Sequence, residues 1–393
     1  MLQNIQKNHN KILKPVVLAA MASDRVPKKI TPVQLPDTLP DEGMDISDAM
    51  AMFSKNYLSS YYGEDFEKDA DKSFESDLPF EETPLGIRLT ENSDKDFEKD
   101  RVSIPTILGD GLGCITNNPK FSWACNPCDT EFEIEVCDAL AEQFGLNDEY
   151  LHVYNGVGII NSCESDGLFT ILITAQFLKR QAIKDDSSTS DKFIVYCSKR
   201  EEIYPIQRIA RMQDMTLRQF SSPEELQDLI AEDKSNGLHP SLVIYDAKLQ
   251  EEEKFKENLE HVESLCSSEA EENEIWMHVN LGHDGCLSML DEYKYLTKVS
   301  SDSLIIEGSK HLETSFESSL MWVKNRERIE NGMHLEAKIT RKFGILFKSD
   351  KYSVDYKNYQ VYLGKMNRAY KVWFAVNMHG LDGLKEKIRN SIS

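Results

Sequence analysis

Four short apolar runs, Phe193 to Cys197, Ser241 to Tyr245, Ile275 to Asn280 and Ser303 to Ile306, are separated by segments with helical spacing of apolar residues. Runs this short and this apolar read as strands buried on both faces, which demands helices above and below a mainly parallel sheet. The segments between them fit that requirement. Pro223 to Ala231 starts after Ser221-Ser222 with acidic residues in its first turn, and Glu251 to Cys266 is charged and amphipathic. Upstream, Thr130 to Phe144 carries Phe132, Val136, Leu140 and Phe144 at helical spacing and stops at Gly145. Asp166 to Ala182 is a second, more apolar helix, expected to be buried. Ser318 to Lys324 adds a strand, Tyr370 to Met378 a helix or strand, and there is no internal repeat.

Before Arg101 the character differs. Residues 1–101 are rich in Pro, Asp, Glu and Ser, and only Ile46 to Tyr62 has the spaced apolar residues of a helix. This stretch is expected to be an acidic, partly disordered leader, with Glu64 to Glu75 and Asn92 to Asp100 as solvated segments. The whole chain carries 45 Lys and Arg against 67 Asp and Glu, a net charge of −22. Such a field repels nucleic acid and anionic membranes, which leaves a small molecule or a protein as partner. No apolar run approaches the roughly 20 residues that span a bilayer. The eight cysteines are spread through apolar stretches and read as reduced thiols, which places the chain in the cytoplasm. Lys7, Lys11 and Lys14 before Val16 to Ala22 have the outline of an export signal, but the run is short and follows Pro15.

Several ordered blocks carry a resemblance. Phe121-Ser122-Trp123-Ala124 with Pro127, Thr130, Glu131 and Glu133 is similar to an FSWAxxPxxTELE block, and Trp276 to Val279 to a WxHVD strand. Ser318 to Lys324, Asp355-Tyr356 to Gln360, Leu363-Gly364 and Trp373 to Leu384 match further blocks in the same order. From about Ile104 to the end the chain resembles the pyridoxal-phosphate (PLP) dependent group II amino-acid decarboxylases, of the aromatic-L-amino-acid and histidine type. The resemblance implies an α/β fold, the type I PLP-transferase large domain, over 102–350, and the start of a truncated C-terminal small domain over 351–393. It also implies PLP as cofactor, an amino acid as substrate, amine and carbon dioxide as products, and a homodimer or a heterodimer with a homologue.

Carried over residue by residue, the same resemblance places Lys310 at the Schiff-base lysine, but its surroundings are altered. The family's Asn-Pro-His before that lysine is Glu307-Gly308-Ser309. The aspartate that keeps the pyridine nitrogen protonated is Asn280, an amide that cannot supply charge. His283 or Asp284 in the next turn could replace it. The ring-stacking histidine falls on Glu202, and the phosphate-cradling GSAS helix start becomes Ser162-Cys163-Glu164-Ser165, keeping only the Ser165 hydroxyl. A carboxylate about 4 Å from a phosphate charge costs about 4 kcal/mol per unit pair at an effective dielectric near 20. The threonine-rich LGTT turn becomes Ala247-Lys248-Leu249-Gln250, with Lys248 offering a compensating charge. The mobile-loop tyrosine, a proton donor, matches Phe343, which has no proton to give. The expectation is a decarboxylase whose activity is lost or severely impaired. The alternative is a pseudoenzyme that acts by pairing with an active homologue or another protein.

Three further signals are weaker. Cys125 and Cys128 form a CxxC with no second pair to complete a tetrahedral metal site. His278, His283 and Asp284 have the spacing of a strand end and turn, where a core histidine is commoner than a ligand. Gly109 to Gly113 is glycine-rich but lacks the lysine and the preceding strand of a nucleotide loop. No metal is expected.

Overall fold

The structure is a computed structural model that describes residues 104–116, 122–123, 127–184, 192–200, 203–247, 249–268, 270, 274–333 and 354–392, with two short paired strands before them. The rest of the leader, with its expected helix over 46–62, lies outside the described residues. So do Lys248, Glu202, Phe343 and Cys125, and the side chain of Cys128. The chain forms two units, Met1–Ile104 and Pro105–Ser393. In the first, Leu85–Gly86 pairs antiparallel with Arg101–Val102.

In the second, helices α1 (Ile104–Thr116, from the boundary residue) and α2 (Pro127–Phe144) precede β1 (Val157–Asn161) and α3 (Glu164–Ile183). Then come β2 (Phe193–Ser198), α4 (Tyr204–Met212), β3 (Thr216–Phe220), α5 (Pro223–Ser235), β4 (His239–Asp246) and α6 (Glu252–Cys266). The unit closes with β5 (Trp276–Asn280), β6 (Ser303–Glu307), β7 (Ser319–Val323), α7 (Arg326–Met333) and α8 (Ala369–Ile392). The sheet order is β1-β7-β6-β5-β4-β2-β3, with β7 alone antiparallel to its neighbours. The expected strands all form, with each end within two residues of its expected place: β2, β4 and β6 are longer than expected and β5 and β7 shorter. Tyr370 to Met378 resolves to helix, within α8.

Alternation along each strand builds two cores, one per face. Ile160, Tyr196, Val243, Val279 and Trp322 pack against α2, α5, α6 and α8. Ile159, Val195, Ile244, Ile305 and Met321 pack against α3, α4 and α7. Ends are set locally: Gly145 takes φ +73° after α2, and the Ser222 hydroxyl accepts from the Glu225 N–H at 3.3 Å to cap α5. Among the elements that escaped the sequence reading are β1, β3, α4 and α7. Gly109 to Gly113 lies inside α1 and makes no phosphate loop. A Cβ at Gly109 would sit 2.2 Å from the Lys371 Cα, so that glycine serves helix packing. Among the described residues no helix is long and apolar enough to cross a membrane.

Candidate functional site

The carboxyl ends of parallel strands form the crevice where such folds bind ligands. Here those ends carry Asn161 on β1, Ser198 on β2, Asp246 on β4, Asn280 on β5 and Glu307 on β6. Asp246 pairs with Asn280, Asn280 with Ile305, and Glu307 with Ser319, which pairs with Asn161. By the two-residue period of a strand, Asp246, Asn280, Glu307 and Asn161 therefore share the face covered by α3. Glu164, the first residue of α3, hangs over that row.

These groups are bonded to one another. The Asn280 Nδ2 donates to Glu164 Oε1 and to Asp246 Oδ1, each at 2.9 Å. Its Oδ1 accepts from the Gly282 N–H at 3.0 Å. Arg200, just past β2, donates to both oxygens of Glu164, Nη1 to Oε1 at 2.8 Å and Nη2 to Oε2 at 3.2 Å. The same Nη1 reaches Asp246 Oδ1 at 3.4 Å, and the Asp246 N–H donates to the Ser198 hydroxyl. Burial disfavours the Arg200 charge, but the bonds to Glu164 and the charges of Glu164 and Asp246 outweigh it and raise its pKa. Glu307 is pushed up chiefly by burial, with the Glu164 charge adding to the rise. One guanidinium thus serves two carboxylates, Glu164 and Asp246.

The structure therefore brings together Glu164 and Asn280, two of the residues singled out in the sequence, and joins them to two that were not. Arg200 and Asp246 are 46 positions apart in the chain, and only the placement of β4 beside β2 makes them neighbours. Ser165 is half-buried in the first turn of α3, Ser309 is half-buried after β6, and Lys310 is exposed in the turn beyond. His283 turns to the Glu307 carbonyl, 3.3 Å away, so the carboxylate beside Asn280 is Asp246 rather than a group from the next turn. His278 is a core histidine: fully buried, with Nδ1 2.8 Å from the Ser303 hydroxyl. Among the described residues no cluster of His, Cys, Asp or Glu is placed to hold a metal.

The model of the pyridoxal-dependent decarboxylase conserved domain matches residues 89–393. The chain belongs to this family. It is 25% identical to the histidine decarboxylase of Drosophila melanogaster over 308 residues, 74% of this chain and 35% of that protein. It is 24% identical to the aromatic-L-amino-acid decarboxylase of Manduca sexta over 307 residues, 74% of this chain and 58% of that protein. This decarboxylase-family chain thus spans between a third and three fifths of those relatives. The tryptophan decarboxylase of Catharanthus roseus, solved in complex with L-tryptophan, superposes with a TM-score of 0.73 at 18% identity, covering 99% of this chain and 78% of that one. The α/β type I large-domain fold expected from the sequence is the fold observed.

Pyridoxal phosphate is the cofactor of this family, and its assignment from the sequence holds at that level. Among the described residues, the donor set at the strand ends does not fit the group. A phosphate needs N–H donors and positive charge, whereas the start of α3 presents Glu164 and the end of β6 presents Glu307. The one guanidinium is held by two carboxylates. A pyridinium nitrogen needs a carboxylate at the β5 end, whereas Asn280 supplies an amide whose donors and acceptor are all engaged.

Proposed function

We propose that this chain is a pyridoxal-dependent decarboxylase relative in which conversion of an aromatic amino acid or histidine to its amine and carbon dioxide is lost or severely impaired. One observation carries the reading: Glu164, Arg200, Asp246 and Asn280 satisfy each other across the ends of α3, β2, β4 and β5. A cofactor entering there would have to break charge-assisted bonds and accept two carboxylates beside its phosphate, each a cost of several kcal/mol. On this reading the fold is kept for a role other than turnover, and homodimer or heterodimer formation with a homologue belongs to the same proposal.

The test is an absorbance spectrum over roughly 300 to 500 nm with and without added pyridoxal phosphate, followed by borohydride reduction and peptide mapping. The expected result is no saturable band near about 420 nm and no pyridoxyl group on Lys310. A band trapped on Lys310, with carbon dioxide released from an aromatic amino acid or histidine, would overturn the reading.

A further inference from the structure

β1 is the apolar edge of the sheet. Among the described residues its one sheet neighbour is β7, antiparallel to it, and all of its residues are buried. A strand edge with open backbone N–H and C=O groups is a template for another strand, and the run Val-Gly-Ile-Ile carries no charge to discourage one. The opposite edge strand, β3, differs: it shows Thr216 and Gln219 to solvent and carries Arg218.

The outer edge of β1 is closed by side chains instead of by a strand. Antiparallel pairing turns alternate residues toward the neighbour, so Val157, Ile159 and Asn161 bond toward β7 while Gly158 and Ile160 face outward. Tyr356 donates its hydroxyl to the Gly158 carbonyl at 3.1 Å. The Ile160 N–H donates to Glu133 Oε1 at 2.9 Å, and the Ile160 carbonyl accepts from the Lys365 ammonium at 3.0 Å. Lys365 also pairs with that same Glu133 oxygen at 3.1 Å and lies 5.0 Å over the Tyr356 ring. Donor, acceptor and donor thus follow one another along β1, in the order a neighbouring strand would offer them.

Glu133 and Tyr356 are fully buried, and the Lys365 side chain is 6% exposed. Two charges are costly to bury, and an apolar pair of similar volume would often serve stability as well or better. An apolar pair could not satisfy Ile160 on both its N–H and its C=O. Tyr356 and Lys365 come from one segment, 354–368, which holds the short 3-10 turn Tyr356–Asn358 and no strand, and Glu133 comes from α2.

We propose that segment 354–368 is a strap that closes the outer edge of β1 against strand addition, fastened by Tyr356 and by Lys365 on Glu133. An antiparallel second copy of β1 offers the same repeat of donors and acceptors, and it is the strand that the strap excludes. This role is independent of the Glu164 network and of cofactor binding.

The test titrates the full chain into a fluorescein-labelled peptide copying residues 154–162, read by fluorescence anisotropy. Wild type should not bind by about 1 mM. Tyr356→Phe/Lys365→Met, which frees both carbonyls with little change of bulk, should bind at least about a hundredfold more tightly, and a peptide N-methylated at alternate residues should not bind. Tyr362→Ala, at an exposed position of the same strap, should behave as wild type. In wild type, hydrogen exchange of the Ile160 amide should fall within about tenfold of that of Ile159, which bonds inside the sheet. Binding by wild type or by Tyr362→Ala, a folded double variant that leaves the peptide unbound, or equal binding of the N-methylated copy would each overturn the strap. So would an Ile160 amide exchanging more than about a hundredfold faster than Ile159, a comparison that decides the matter if the double variant fails to fold.

Discussion

Asn280 uses both amide hydrogens and its oxygen, so its replacement by the family's aspartate does not simply restore a cofactor site. Asn280→Asp turns two attractive contacts at 2.9 Å into carboxylate pairs facing Glu164 and Asp246, with Arg200 as the one shared cation. Discounted for partial solvation, the expected loss is about 2 kcal/mol in urea unfolding, recovered in large part by adding Glu164→Ser. Arg200→Met should cost a similar amount by leaving Glu164 and Asp246 uncompensated; an unchanged midpoint would show that the network is not stabilising. His278 sets a pH dependence. Burial lowers its pKa to about 3 from the usual 6.5, so between those values the unfolded chain binds the extra proton. Stability due to this group is therefore complete above about pH 6.5 and falls toward pH 3 at up to about 1.4 kcal/mol per unit. Asp138, raised to about 6 chiefly by burial, acts with the opposite sign, losing its contribution as pH rises through that value. His278→Gln should remove this group's part of the acid-side slope, leaving a shallower one in urea midpoints measured across this range. Glu164 and Asn280 were legible because the blocks around them kept their order and spacing. Arg200 and Asp246 were not, since an Arg after one strand and an Asp ending another are ordinary residues until the sheet order is known.

Among the elements, the strands β2, β4, β5 and β6, each with a short apolar run, announced themselves because both faces of a central parallel strand must be buried. The edge strand β3 did not: Thr216 and Gln219 are exposed and Leu217 and Arg218 half-buried, so its sequence carries little apolar pattern. The other edge strand, β1, is buried throughout but is only five residues long and contains Gly158, a residue that argues against a strand from sequence alone. The structure supplies the reason for that glycine. A Cβ there would lie 2.3 Å from the Cys137 Cβ of α2 and 3.0 Å from the Trp322 Nε1. Gly158→Ala should thus force α2 away from the sheet and break the bond from Trp322 to the Cys137 carbonyl. Calorimetry should show a loss of about 3 kcal/mol, while a change under about 0.5 kcal/mol would mean that α2 shifts without cost.

Across the molecule, an excess of 22 negative charges opposes compaction. The melting temperature is expected to rise as sodium chloride goes from about 0.02 to about 0.5 M, because screening relieves that repulsion more than it weakens the partly buried pairs. A fall would show that local pairs such as Arg200 with Glu164 outweigh the general field. The seating of β7 between β1 and β6 bears on how the chain is made. Among the described residues β1 has no sheet neighbour other than β7, which lies more than 150 residues later. At the usual pace of synthesis, β1 therefore waits for roughly ten to thirty seconds on the ribosome with both edges unpaired. During that interval its apolar residues are a natural target for a chaperone, and a stalled chain that ends before Ser319 would expose them for as long as it persists.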